Sequence, residues 1–261
     1  MFNKTIFKQT VKENLKLWLI ITLLMSVFCA LLIAVFEPET ISNLSDIIKG
    51  TPLENILEQE TFLGMIAKTF YSIHGVILPL IFIIITANSL IASQVDRGSM
   101  AYLLSTPIKR SAVVGTQAAY LITSILVMVI IVTIIGLFSI HIFQGDTAVN
   151  ITDYLLLNVG LFLLMFAISS VSFLFSCTFN LSKNSLALGA GIPLAFFLFK
   201  LMAQVDDSLE GFKYLSLNSL YDTNAILDGG SYLAQFTALT IVGIVLYVTG
   251  MRIFTEKDLP L

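Results

Sequence analysis

Few residues in this sequence could perform acid–base or metal chemistry, and they lie at the edges of its apolar stretches. His74, His141 and Lys200 each stand near the end of a long apolar run. A polar tip at such a position can reach a membrane–water interface, so we interpret all three as interfacial side chains. The interiors of the runs hold essentially no ionisable residues. An ion-coupled carrier or an intramembrane enzyme normally buries such groups, so both classes are disfavoured.

Motifs for catalysis and nucleotide binding are missing as well. The sequence has no His-Glu-x-x-His metal motif and no Gly-x-x-x-x-Gly-Lys-Ser/Thr loop to cradle nucleotide phosphates. Five residues within apolar runs are interpreted as packing features: Cys29, Pro79, Asn88, Cys177 and Pro193. We therefore predict no cofactor, no metal and no catalytic residue in this chain. If the protein pumps a substrate, another polypeptide must bind and hydrolyse ATP.

The most informative polar stretch is residues 94–111, which read Gln-Val-Asp-Arg-Gly-Ser-Met-Ala-Tyr-Leu-Leu-Ser-Thr-Pro-Ile-Lys-Arg-Ser. Gly98 permits a sharp turn, and Ser99 can cap a short helix over residues 100–104. Pro107 ends that helix, because the residue before a proline disfavours the helical region. The sequence therefore predicts a short, stiff helix in this segment.

Two readings of this short helix remain open. It can present Leu103 and Leu104 to an apolar groove on a partner protein. Alternatively, the segment is a connector at the membrane surface that only holds two spans apart.

Six apolar segments are long enough to cross about 30 Å of hydrocarbon as helices, and they place the 94–111 segment between the second and the third. Hydrophobic residues make up 57% and charged residues only 12% of the 261-residue chain, more apolar surface than one soluble core could bury. We predict an all-α, polytopic membrane protein with a single transmembrane domain over residues 1–261. The predicted spans are 17–36, 70–92, 113–140, 154–178, 185–203 and 233–254.

The basic residues predict the orientation of these spans, because Lys and Arg flanking a span resist translocation. Only four of the 14 lie in the loops on the other side: Lys49, Lys68, Lys200 and Lys213. The ten that share a side with both termini are Lys4, Lys8, Lys12, Lys16, Arg97, Lys109, Arg110, Lys183, Arg252 and Lys257. Both termini and the 94–111 segment are therefore predicted to be cytoplasmic. The net charge of −3 gives no reason to expect a nucleic-acid partner.

Segments outside the spans carry helical patterns too. Residues 1–16 place lysines at every fourth position beside an apolar stripe, which predicts an amphipathic helix lying at the headgroup surface. In the 37–69 loop, Pro52 marks a plausible helix start. The 204–232 loop is too apolar for a solvated linker, so we expect short extracellular half-helices there.

In the 94–111 segment the chain resembles the ABC-2 type permeases, the membrane subunits of a class of ATP-binding-cassette exporters. The loop after the second span in that family typically reads Glu-x-acid-x-Gly-Thr, then Leu-Leu-Ser-x-Pro-Ile-x-Arg, then a Lys at the start of the third span. Ser99 is close to this pattern, whereas Gln94 replaces an acid and Gln117 stands near the usual Lys, which puts one salt bridge in doubt. The positions that fit are Asp96, Gly98, Leu103, Leu104, Ser105, Pro107, Ile108 and Arg110.

The resemblance implies a permease whose short cytoplasmic helix sits in a groove of a separate ATPase subunit and transmits the closure and opening of that subunit to the spans. A six-helix chain is half a translocator. The implied assembly therefore has two copies of the ATPase and a second permease, either an identical copy or a paralogue. The coupling residues implied are Asp96, Arg97, Gly98, Ser99, Leu103, Leu104, Pro107, Lys109 and Arg110.

The chain is also similar to permeases of low-GC Gram-positive bacteria, including the membrane subunits of staphylococcal exporters of phenol-soluble modulins, which are small amphipathic peptides. This resemblance implies a bacterial plasma membrane, contact with its lipids, and an amphipathic peptide or another hydrophobic compound as substrate. The alternative function is a sensor or assembly scaffold that uses the same fold without moving a substrate. A third possibility, an intramembrane enzyme, lacks buried polar catalysts in this sequence.

Overall fold

The computed structural model describes residues 2–37, 61–145, 149–203 and 207–258 of the chain. Those residues form helices and connecting turns without any strand, and six of the helices are long and apolar enough to cross a membrane. The predicted fold class and the number of spans are therefore confirmed. The first to sixth spans are Lys4–Val35, Phe62–Asp96, Arg110–Phe143, Ile151–Thr178, Ser182–Met202 and Tyr232–Glu256.

The first span begins earlier than predicted, because the helix is continuous from Lys4 to Val35. The side chain of Asn3 caps its N-terminus by accepting hydrogen bonds from the backbone N–H groups of Thr5 and Ile6. The basic segment 1–16 is thus mostly part of the same helix as the first span. Its predicted place at the headgroup surface stays a prediction.

The start of the first span crosses the third span obliquely. The backbone N–H of Asn3 donates to the hydroxyl of Thr116, and the hydroxyl of Thr10 donates to the side-chain oxygen of Gln117. Thr116 and Gln117 are adjacent on the third span, whereas Asn3 and Thr10 are seven residues apart, which corresponds to about 10 Å of helix. The first span must therefore cross the third at an angle here. Beyond Thr10 the two spans run parallel, since the indole N–H of Trp18 donates to a third-span carbonyl seven residues beyond Gln117.

The second span is built from three helical pieces before it reaches the 94–111 segment. A short α-helix at Phe62–Ile66 leads into a π-helical stretch at Ala67–His74, and an α-helix follows at Gly75–Leu90. Pro79 is buried inside the last piece without ending it. Polar side chains of the π-helical stretch bind backbone carbonyls of the same stretch; the Ser72 hydroxyl, for example, donates to the Ala67 carbonyl.

The fourth span is the centre of the bundle and packs against the second, third, fifth and sixth spans. Small residues allow this close packing. Gly189 of the fifth span lies against Ser172 of the fourth, whose hydroxyl donates to the Gly189 carbonyl at 2.6 Å. Gly243 of the sixth span lies under the ring of Phe166, where a Cβ atom would have no room.

Apolar side chains cover the outside of the bundle. Leu23, Phe138 and Ile244 are more than half exposed and belong to the first, third and sixth spans. Such a surface would be unfavourable in water and is what a lipid environment accepts. Apart from Lys200, the buried polar side chains of the described residues are uncharged. The amide N–H₂ of Asn158, for example, donates to the Tyr71 hydroxyl at 2.7 Å and to the Tyr154 carbonyl at 2.9 Å.

The described part of the connection between the fifth and sixth spans, from residue 207 onward, contains three short helices. Two are 3-10 helices, Asp207–Leu215 and Leu217–Leu220, and the third is an α-helix at Thr223–Leu227. They lie at the end of the bundle opposite the 94–111 segment. The helix predicted to start at Pro52 lies outside the described residues.

Candidate functional site

A bend at Ile91, near the end of the second span, leads into the 94–111 segment. Ile91 leaves the helical region, with φ −131° and ψ −69°, and a five-residue helix, Ala92–Asp96, follows. A bend of this kind frees backbone groups that must find other partners inside a membrane protein. The N–H of Ala92 donates to the hydroxyl of Ser176, a buried residue of the fourth span, at 3.0 Å. The bend is therefore fixed by the central helix.

Asp96 joins the segment to the fifth span. Its carboxylate accepts a hydrogen bond from the backbone N–H of Ser182 at 3.1 Å. Ser182 is the first residue of the fifth span, and Leu181 before it offers no side-chain cap. Asp96 thus supplies the capping carboxylate from another helix, where the helix dipole also favours negative charge. A second link is the bond from the Asn88 amide to the Ser182 hydroxyl at 2.8 Å.

Gly98 makes the turn between the two short helices of the segment. Its φ is +71°, the left-handed region that glycine adopts without strain. No other part of the described structure crowds the position, so the backbone angle alone accounts for glycine there. The sharp turn predicted at Gly98 is confirmed.

A six-residue helix, Ser99–Leu104, follows this turn, and we call it the loop helix. Met100 is completely buried and anchors the loop helix to the bundle. Leu103 and Leu104 are half-buried and pack against the apolar core. Tyr102 points away from the bundle with 81% of its surface exposed. The apolar group that the loop helix offers most fully to a partner is therefore Tyr102, which the sequence interpretation did not single out.

The loop helix begins one residue earlier than predicted and ends at Leu104, as predicted. Ser99 is the first helical residue and not its cap, since its hydroxyl donates back to the Gln94 carbonyl at 3.1 Å. At the other end, the hydroxyls of Ser105 and Thr106 donate to the carbonyls of Tyr102 and Leu103. The helix has thus ended at Leu104, ahead of Pro107, which is exposed.

Arg110 ties the end of the segment to the sixth span. It is the first residue of the third span, and its guanidinium donates to the carbonyl of Lys257 at 3.0 Å. The ammonium of Lys257 lies 5.7 Å from the centre of the Phe254 ring and 3.5 Å from the carbonyl of Phe179, which follows the fourth span. Partial burial of this ammonium lowers the pKa of Lys257 below its ordinary value.

These contacts make the segment a mechanical junction. Backbone continuity links the segment to the second and third spans. The Ala92 amide, just before the segment, binds the fourth span, Asp96 binds the fifth, and Arg110 binds the end of the sixth. A force on the loop helix would therefore reach five spans through short, directional bonds. Arg97 and Lys109 are exposed beside it and make the surface basic.

The opposite end of the bundle contains a polar cleft of about 230 Å³, which we call the Lys200 cleft. The ammonium of Lys200 donates to the carbonyl of Tyr221 at 3.0 Å and lies 5.4 Å from the centre of its ring. The cleft is lined by residues that include Ser72, Lys200, Lys213, Ser219, Asp222 and Thr223.

The interfacial interpretation of the three isolated ionisable residues needs one correction. Lys200 is only 9% exposed, because the short helices between the fifth and sixth spans cover it. His141 is exposed, and its place at the interface stays a prediction. His74 is partly covered: its ring stacks on Phe28 with centroids 4.9 Å apart, and its Nδ1 is 3.0 Å from the carbonyl of Thr69. Among the described residues, no group of three His, Cys, Asp or Glu side chains could hold a metal ion.

Comparison with known proteins supports a family assignment over nearly the whole chain. The family model described as "ABC-2 family transporter protein" matches residues 7–259. A comparison with individual curated proteins finds no match.

Proposed function

Because the chain belongs to the ABC-2 family of transporter proteins, we propose that it is the permease subunit of an ATP-binding-cassette exporter and couples to a separate ATPase through residues 94–111. The family match supports the transport permease role and, in general, an ATPase partner. The chain itself would bind no nucleotide and catalyse no reaction. ATP would be bound and hydrolysed by two copies of the partner.

The observation that carries the coupling proposal is the exposure of Tyr102 on an anchored helix. An aromatic ring that is 81% exposed contributes little to the stability of the permease itself. Tyrosine is, however, among the residues that contribute most to protein–protein binding when a partner covers them. Met100, fully buried two residues away on the opposite face of the helix, keeps the loop helix from sliding when Tyr102 is pushed. Leu103 and Leu104 would form the part of the contact that lies nearest the bundle.

The proposed coupling works through displacement of the loop helix. When the ATPase closes on ATP, the groove that holds Tyr102 moves, and the loop helix moves with it. Asp96 then pulls on the first turn of the fifth span, and Arg110 pulls on the end of the sixth. The fifth span has a largely exposed surface, so it has room to shift relative to the central fourth span.

The proposed substrate is an amphipathic peptide, such as a toxin or an antimicrobial peptide, or another hydrophobic compound. Apart from Lys200 at the end of the fifth span, the described spans present apolar surface and uncharged buried polar groups, which suit such a molecule better than a hydrophilic sugar. A second permease, identical or paralogous, would complete the path. The excess of Lys and Arg on one side supports cytoplasmic termini in a bacterial plasma membrane.

Reconstitution of transport tests this function. The permease is incorporated into liposomes with the ATPase that co-purifies with it, and a fluorescent amphipathic helical peptide is added with ATP on the side of the ATPase. We expect the peptide to accumulate in the lumen only when ATPase and ATP are both present. Accumulation without either one would contradict the proposal. ATP hydrolysis with no accumulation of peptide or of any hydrophobic compound would favour the sensor or scaffold function.

A further inference from the structure

The Lys200 cleft has the chemistry of an anion site, and the coupling segment at the other end of the bundle does not involve it. Its wall contains two ammonium groups, those of Lys200 and Lys213, and one carboxylate, that of Asp222. The carboxylate is already engaged, because its Oδ1 accepts the backbone N–H groups of Asn224 and Ala225 at 3.1 and 3.2 Å. Two ammonium groups against one carboxylate give the lining of the cleft a net positive charge.

Two donors in the cleft have capacity for a ligand. An ammonium carries three N–H groups, and the described structure gives Lys200 one hydrogen bond, to the Tyr221 carbonyl. The hydroxyl of Ser219 is buried and has no hydrogen-bond partner among the described residues. A buried polar group without a partner is costly. Because Ser219 and Lys200 line the same cleft, an acceptor bound there could take hydrogen bonds from both.

We propose that the Lys200 cleft binds a phosphate group, supplied either by a phospholipid headgroup or by free phosphate. A phosphate offers several acceptor oxygens and negative charge, which match the ammonium groups and the Ser219 hydroxyl. About 230 Å³ is space for several waters at roughly 30 Å³ each, and is ample for one such group. Lys200 lies in the last turn of the fifth span, and the end of a membrane-spanning helix is where we expect lipid headgroups to meet the bundle.

Retention of lipids by the purified protein tests the proposal. Native mass spectrometry in detergent compares phosphatidylglycerol with a diacylglycerol of the same acyl chains, which lacks the phosphate. We expect the wild type to retain phosphatidylglycerol preferentially and Lys200→Met to bind it at least about tenfold more weakly, the loss of one charge-assisted hydrogen bond. Lys200→Arg should keep the preference. Lys183→Met removes an exposed lysine at the other end and should leave retention unchanged.

A second arm distinguishes the source of the phosphate. This arm measures the melting temperature of the wild type and of Lys200→Met with and without millimolar inorganic phosphate. If phosphate stabilises only the wild type, and the two lipids are retained equally, then free phosphate is the ligand. Lys213→Met, at an exposed position, repeats both measurements in case Lys200→Met does not fold. Equal retention of both lipids, together with no response to inorganic phosphate, overturns the proposal.

Discussion

Replacing Tyr102 with alanine is expected to reduce ATP-driven transport at least about tenfold while leaving the permease folded. The ring is 81% exposed, so its removal deletes little intramolecular packing. If the ATPase covers it, the loss of one central aromatic contact costs 2 kcal/mol or more, which corresponds to roughly 30-fold weaker docking. The measurement is ATP-dependent peptide accumulation in liposomes, with the melting temperature as the test of folding.

Tyr214→Ala is the matched control for Tyr102→Ala. Tyr214 is 88% exposed, in the 3-10 helix at the opposite end of the bundle, so the two variants remove equally exposed rings from opposite sides. Tyr214→Ala should transport as the wild type does. Full transport by Tyr102→Ala, with ATPase binding unchanged, would remove the tyrosine from the docking surface.

Charge reversal at Arg110 is expected to uncouple ATP hydrolysis from transport. The guanidinium holds the carbonyl of Lys257 at 3.0 Å, and a glutamate there would turn an attraction into a repulsion. A hydrogen bond from a charged group contributes about 1.5–3 kcal/mol, so Arg110→Glu should lower the melting temperature and free the sixth span from the loop. The expected result is ATP hydrolysis that continues while peptide accumulation falls at least about tenfold.

Arg252→Glu provides the control for this reversal. Arg252 lies on the same side and near the end of the sixth span, but it is exposed, and no hydrogen bond of its guanidinium is found in the part of the chain that the structure describes. The two variants change the net charge equally. If both reduce transport to the same degree, the effect comes from charge at this surface and not from the bond between Arg110 and Lys257.

The spans were predictable because they depend on composition alone. A run of about 20 apolar residues can satisfy its backbone in lipid only as a helix, wherever it packs. The ends of the spans were less predictable. The first span gains 13 residues before Leu17, since Asn3 caps the helix early and contacts with the third span hold the added turns.

The turn at Gly98 was also predictable, because only glycine adopts its backbone angle without strain. The direction of each side chain on the loop helix was not. The loop helix has four large side chains that are at least partly apolar, so the sequence could not indicate which of them faces the bundle. They are Met100, Tyr102, Leu103 and Leu104. The contacts of the neighbouring spans decide this, and they leave Tyr102 outside.

The bonds that make the segment a junction were beyond sequence reasoning for a similar reason. Asp96 and Ser182 are 86 residues apart, and Arg110 and Lys257 are 147 apart. Such pairs meet only because the ends of the helices gather around the fourth span. Lys200 is a further example: a lysine at the end of a span usually extends toward water, but here the short helices that follow fold over it.

The central claim is that Tyr102 faces the cytoplasm and is covered there by an ATPase, and thiol labelling tests it most directly. The two native cysteines, Cys29 and Cys177, are fully buried, so we expect the reagent to label only the exposed thiol that Tyr102→Cys introduces. A membrane-impermeant maleimide should label this variant in inside-out vesicles stripped of the ATPase. ATPase added at a concentration high enough to saturate the weakened docking site, with its binding checked by co-sedimentation, should prevent the labelling. Labelling in intact cells, or labelling in the vesicles that the bound ATPase does not change, would contradict the account.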